Sequence, residues 1–195
     1  MRAPRIIPRE FYENDPAKTA VNLLGKLVWR RIGRRILAGY IVECEAYYGP
    51  EDPASRAKRG GPLAKMMRGD VGVALIYGIH RQWLFNIVAH EPGEYGAVLI
   101  RALQPVRGIE MMKRNRRVEK LELLTSGPGR LTQALRIDKS FHGVRVYEDR
   151  SLLTIREGLR IDAGMIASSK RIGVSKDLDN NLRFYIKNNP FVSKP

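Results

Sequence analysis

The chain predicts an α+β fold in one domain, with a largely antiparallel sheet. Strand-like and helix-like stretches are mixed, without the steady β-α-β alternation that a parallel sheet needs. Tight turn signals, such as Ile32-Gly33-Arg34-Arg35, join neighbouring apolar runs as hairpins do. Neither a linker nor a repeat interrupts the 195 residues, a length that suits one domain with a substantial core.

Taken in order, Asp15-Pro16 opens a helix as cap and first-turn residue, and Gly25 stops it. Leu27-Val28-Trp29-Arg30 reads as a strand, and the turn at Gly33 leads into a longer strand ending at Tyr47. Gly49 to Pro62 has neither period. It reads as a long loop, either binding or disordered, whose Arg56, Lys58 and Arg59 suit contact with phosphates. Pro62 to Arg68 suits a helical turn or more.

Val71 to Gly78 and Trp83 to Val88 pair as buried strands. Their tip, Tyr77 to Trp83, mixes aromatic, aliphatic and basic groups where a tip should be polar. It reads as a wedge for a base stack or, equally, as apolar groups folding back on the core. Ala97 to Leu103 is an apolar strand with Arg101 set inside it. That guanidinium needs a carboxylate, a phosphate or a carbonyl; Glu45 is available if the strands are neighbours, and a plain buried salt bridge is the simplest outcome. Val106 to Val118 reads as a helix with a basic end, and Leu121 to Leu124 as a turn. Gly127-Pro128-Gly129 feeds a helix over Leu131 to Leu135, a weak phosphate-site signal. Val144 to Ile161 holds one or two strands; Ile166 to Val174 and Leu182 to Ile186 are short extended pieces.

Charge narrows the partners. Lys and Arg number 35 against 20 acidic residues, a formal net charge of +15 that favours a polyanion. No eighteen-residue apolar run, signal-peptide pattern or basic amphipathic helix points to a membrane, so cytoplasmic residence is expected, at the nucleoid in a prokaryote. The single Cys44 and three scattered histidines lack metal-ligand spacing, so no metal is expected.

Chemistry concentrates in Ile41-Val42-Glu43-Cys44-Glu45-Ala46-Tyr47-Tyr48-Gly49-Pro50-Glu51-Asp52. Strict alternation puts Ile41, Glu43, Glu45 and Tyr47 on one face. Carboxylates beside apolar surface cost free energy unless they are paired or used. With nucleophile elbows, dinucleotide fingerprints and zinc-deaminase signatures absent, the inventory is carboxylate, arginine and aromatic ring. It suits attack of water on a bond with a good leaving group, with a glutamate as base and an arginine holding the geometry.

This stretch resembles the active-site strand of the alkyladenine (3-methyladenine) DNA glycosylase family. Ile76-Tyr77-Gly78, Asn86, Leu99-Ile100-Arg101-Ala102-Leu103-Gln104-Pro105, Ser126-Gly127-Pro128-Gly129-Arg130-Leu131, Leu182-Arg183-Phe184-Tyr185-Ile186 and Pro190-Phe191-Val192-Ser193 are similar in the same order. The resemblance implies a single compact domain over residues 1–195 with a curved, largely antiparallel sheet flanked by helices. It implies a monofunctional, cofactor-free enzyme, acting as a monomer, that excises alkylated or deaminated purines from double-stranded DNA. By position it implies Glu45 as general base, with Arg101 and the Ile172 carbonyl holding its water. Tyr47 would stack on the flipped base, Tyr77 would fill the gap in the duplex, and Asn86 would screen the base. Arg56 stands where many relatives have His, Ala74 where some have a second stacking Tyr, and the segment from the tip to Asn86 is about two residues longer than usual. A noncatalytic RNA- or tRNA-binding module would share the basic surface without needing Glu45, and a bifunctional glycosylase-lyase would need a lysine nucleophile.

Overall fold

Asp15 starts the first helix as its sequence implies. In a computed structural model describing residues 3–194, its carboxylate accepts the Ala17 and Lys18 amides at 2.8 and 3.0 Å. The helix, α1, spans Pro16–Leu23. Strands β1 (Leu27–Ile32) and β2 (Arg35–Tyr47) follow as a hairpin. Helix α2 (Gly61–Met67) precedes the hairpin β3 (Ala74–Ile79) and β4 (Gln82–Val88), then β5 (Ala97–Arg107). Helices α3 (Ile109–Arg116) and α4 (Pro128–Leu135) lead to the short strands β6 (Leu153–Arg156), β7 (Ile166–Ser169) and β8 (Arg183–Ile186). The architecture is α+β in a single compact domain: one antiparallel sheet of order β3-β4-β5-β2-β1-β6, with β7-β8 joined to β2, not closed into a barrel. None of the described helices is long and apolar enough to cross a membrane.

Register explains the placement of the acidic strand. Leu75 pairs with Asn86, Asn86 with Leu99, and Leu99 with Glu45, so one row crosses four strands on one face. The next row on that face carries Val88, Ala97 and Tyr47. The opposite face, with Ala74, Ile76, Phe85, Ile87, Val98, Ile100, Cys44 and Ala46, packs on α1 and α4 as the main core. Ala74 is therefore a core residue on the far side of the sheet.

Two bulges overturn strict alternation. Ile41 pairs with Leu103, Glu43 with Ala102 and Cys44 with Ile100, which leaves Val42 and Arg101 as extra residues. Ile41 consequently joins Cys44 and Ala46 in the core, while Val42 packs with Ala102 and Phe191 in a separate cluster. The helix expected from Val106 also starts later. Strand β5 runs on to Arg107, accommodating Pro105 beside another bulge, and Gly108 at φ +76 turns the chain into α3. The Gly49–Pro62 loop is held by buried Asp52, which accepts the Tyr48 and Ala54 amides, and by Ser55, which caps a 3-10 turn over Arg56–Arg59.

Asp15 also accepts the Tyr48 hydroxyl at 2.9 Å, tying α1 to the end of β2. Asp15→Ala removes the cap and this link together and is expected to cost about 1–2 kcal/mol in urea unfolding. An unchanged midpoint would contradict the link.

Candidate active site

Strand β2 brings Glu43, Glu45 and Tyr47 to the open face, and the bulge in β5 turns Arg101 toward both carboxylates. Glu45 is 0% exposed. Its Oε1 accepts the Ile172 amide at 2.7 Å and lies 3.2 Å from Arg101 Nη1, while Oε2 accepts the Tyr47 hydroxyl at 2.8 Å. Glu43 Oε1 accepts Arg101 Nε and Arg183 Nε, each at 2.8 Å, and Oε2 accepts the Ser193 amide at 2.6 Å.

The two carboxylates are driven apart. Burial pushes both upward. For Glu45 it prevails over Arg101, the Ile172 amide and Tyr47, so its pKa lies above the ordinary glutamate value. For Glu43 burial is outweighed by Arg101, the Ser193 amide and Arg183, and its pKa falls below that value. Divergence of this kind is what lets two neighbouring acids differ in protonation, with Glu43 held as a counter-ion by its guanidiniums.

Glu45 lies beneath a cleft of about 410 Å³ lined by Tyr47, Arg56, Tyr77, Leu99, Arg101 and Ile172, among others. A separate small hollow of about 10 Å³ shares Tyr47, Arg56 and Tyr77 with the cleft and adds Met67, Leu75, Asn86 and Ala97. Arg171 Cζ sits 4.5 Å over the Tyr47 ring, and Arg56 Cζ 4.9 Å over Tyr77. Arg171 is held by Asp52 at 2.7 Å, by Asp177 and by the Ala46 carbonyl. Asn86 donates to the Leu75 carbonyl at 3.1 Å. A neighbouring hollow shares Gln82, Arg101, Pro128 and Gly129 with the cleft and adds Arg116, Arg130 and Lys194, so the Gly-rich approach to α4 forms a basic rim.

The structure thus places Arg101, Tyr47, Ile172 and Arg56 on the lining of the cleft, Glu45 buried behind them, and Asn86 on the small hollow beside it. It is the Ile172 amide that touches Glu45. Arg59 lines the mouth and Lys58 is exposed on the adjoining turn. Tyr77 stands at the base of the expected tip, three residues before the turn. The turn lies at His80 and Arg81, both at positive φ, and Tyr77 pairs with Leu84 deeper in the hairpin, half-buried and facing the cleft. Sequence reasoning missed Arg171, Asp52 and the Glu43–Arg183–Ser193 network. The one available signal was Arg171 next to the expected Ile172 contact; the others depend on long-range pairing.

A sequence model of the family described as methylpurine-DNA glycosylase matches residues 10–190. A protein of Aeropyrum pernix named "Putative 3-methyladenine DNA glycosylase" is 45% identical over 192 residues, covering 97% of this chain and 94% of the relative. Proteins of the same name from Mesorhizobium japonicum and Koribacter versatilis are 41% and 37% identical, covering 97% and 96% of this chain and 90% and 92% of those relatives.

Glu43→Ala would strand Arg101 and Arg183 without their buried partner. Chemical denaturation should show a loss of about 3–5 kcal/mol, the cost of breaking one side of a buried ion pair. A loss within the surface range of about 0–1 kcal/mol would refute the network.

Proposed function

The chain belongs to the methylpurine-DNA glycosylase family and is a DNA-3-methyladenine glycosylase type of hydrolase; within that activity we propose that it extrudes a damaged purine from duplex DNA and cleaves its N-glycosidic bond with Glu45 as general base. The observation that carries this reading is a wholly buried carboxylate of raised pKa, beneath a cleft and beside Arg101, in a protein of net charge +15.

Positive charge draws the enzyme to DNA without regard to sequence by releasing counterions. Turning the nucleotide out costs a few kcal/mol, least where the base is damaged or mispaired. The residue that fills the gap is drawn from the true tip, Ile79 and His80, both of which line the cleft. Tyr77 instead forms a pocket wall. Tyr47 keeps one ring face for the base, since Arg171 holds the other.

Glu45 then accepts a proton from water as it attacks the anomeric carbon, with the Arg101 guanidinium and the Ile172 carbonyl as the water's further partners. Two donors fix Oε1, so Oε2, which meets only the Tyr47 hydroxyl, is the freer oxygen. Negative charge below the sugar stabilises its developing cation. No lysine lines the cleft among the described residues, which favours hydrolysis to an abasic site over lyase chemistry.

Glu45→Gln keeps the shape and the hydrogen-bonding capacity of the side chain. It should retain DNA binding and lower single-turnover excision by about 10²–10⁴-fold, the usual worth of a general base. The wild type should show an acid limb in kcat/KM, because only ionised Glu45 accepts the proton. Its midpoint should exceed the ordinary value of about 4.3, and activity should be lost as pH falls through it. Excision by Glu45→Gln at the wild-type rate would remove Glu45 from this role.

A double variant, Ile79→Ala with His80→Ala, should weaken binding to a lesion duplex about tenfold, or ~1.4 kcal/mol, measured against undamaged duplex. Unaltered preference for the lesion would rule the tip out as the wedge.

A further inference from the structure

We infer that the groove where the β1–β2 hairpin meets α3 is a second DNA site, which takes the phosphate backbone of a duplex segment other than the one at the cleft. Two segments are then held at once. The groove has no part in bond cleavage, and the inference needs from the proposed function only that the cleft takes the lesion.

The groove has a volume of about 430 Å³ and lies between Arg34 to Leu37 at the start of β2, Val106 and Arg107 at the end of β5, and the first turns of α3. Arg34, Arg35, Arg107 and Arg114 line it, and all four are exposed. Among the described residues no carboxylate lies within ion-pair distance of any of them. The one acid on the groove, Glu110, faces Lys113 at 3.4 Å. Arg107 is braced by stacking, its Cζ 5.3 Å from the centre of the Trp29 ring.

Other surface guanidiniums of this chain meet an acid: Arg9 meets Asp70, Arg145 and Arg150 meet Glu148, and Arg156 meets Asp149. Four unpaired guanidiniums around one hollow repel one another. A row of phosphates between them removes that repulsion and releases the counterions that DNA carries. The charges come from the hairpin turn, from β2 and β5 and from α3, so they match an extended polyanion better than a single small anion.

Position points to a separate segment. Arg35 stands ten residues along β2 from Glu45, roughly 30 Å at about 3.3 Å per residue. The cleft opens on the Glu45 face of the sheet. Helix α3 packs on the other face, where Met112 shares the main core with Cys44 and Ala46, and Ile109 and Met111 pack against it. DNA is stiff over about 150 bp. A duplex seated in the cleft would have to turn sharply round the sheet edge to enter the groove, whereas a second segment meets it unbent. Two such sites let the enzyme pass between duplexes without a free intermediate, which suits a search through a large excess of undamaged DNA.

The test saturates the enzyme with a dye-labelled duplex carrying an abasic-site analogue, then titrates in an undamaged duplex with a second dye. Energy transfer between the dyes reports both duplexes on one protein. We expect wild type to give this signal, with a log–log salt slope for the second duplex of about −3.6, from about −0.9 for each of the four phosphates. Combined Arg34→Gln, Arg35→Gln, Arg107→Gln and Arg114→Gln should weaken the second duplex about tenfold or more as those contacts go. Lysine at the same four positions should restore it. Single-turnover excision at saturating enzyme should be the same in all three proteins, which also reports that they are folded. Simple displacement of the first duplex, or an unaltered second affinity in the glutamine variant, overturns the site. Displacement of the second duplex by polyglutamate as readily as by DNA of equal charge assigns the groove to an acidic protein and overturns the DNA partner. Energy transfer without excision by wild type would instead count against the catalytic reading and leave the second site standing.

Discussion

Arg101 between two buried carboxylates is the constraint around which the rest is arranged. Glu43 and Glu45 are both 0% exposed and two residues apart on one strand. Two like charges this close and this dry are unstable without a cation between them. Regular pairing would not deliver one, because residues on neighbouring strands simply face each other across the ladder. The paired bulges at Val42 and Arg101 break that regularity and let one guanidinium reach both acids. What remains is asymmetry. Glu43 gathers Arg183 and the Ser193 amide as well, whereas Glu45 has only the Ile172 amide and the Tyr47 hydroxyl. The poorer-served acid is the one whose pKa is left raised.

These partners come from distant parts of the chain. Ser193 belongs to the C-terminal segment, Arg183 to β8, and Ile172 to the loop between β7 and β8. Arg171, next to Ile172, is clamped by Asp52 in the loop after β2. The carboxylate geometry is thus closed only when the C-terminal part of the chain has docked on β2 and the loop that follows it. Such a site is rigid because no local opening can relax one partner without exposing a charge, the preorganisation that electrostatic catalysis exploits.

What the sequence reveals follows the range of the interactions. Charge set within an apolar strand is a local anomaly, and it led directly from Glu45 to Arg101. The α1 cap and the sheet class were legible for the same reason. Bulges leave no comparable mark, so Ile41 was assigned to the wrong face. The hairpin tip lies within Tyr77 to Trp83 as expected, but the strands run further into it than the sequence suggests. Gly78 is the obvious turn residue, but the chain turns at His80 and Arg81, two non-glycine residues in the left-handed region. Extending each strand past Gly78 draws Tyr77 back from the tip into the cleft. Likewise β5 runs past its expected end at Leu103 and carries Pro105 beside a bulge.

The charge distribution works on two scales. Over the whole surface the excess of +15 attracts a phosphate backbone from a distance and carries no information about the base. Inside the cleft, the carboxylates and guanidiniums nearly cancel, and burial makes each remaining charge count for more than it would at the surface. At short range a single unpaired side chain therefore weighs more than it would at the surface. Affinity from the surface and discrimination from the interior are separable because solvent and salt screen the first and are largely excluded from the second.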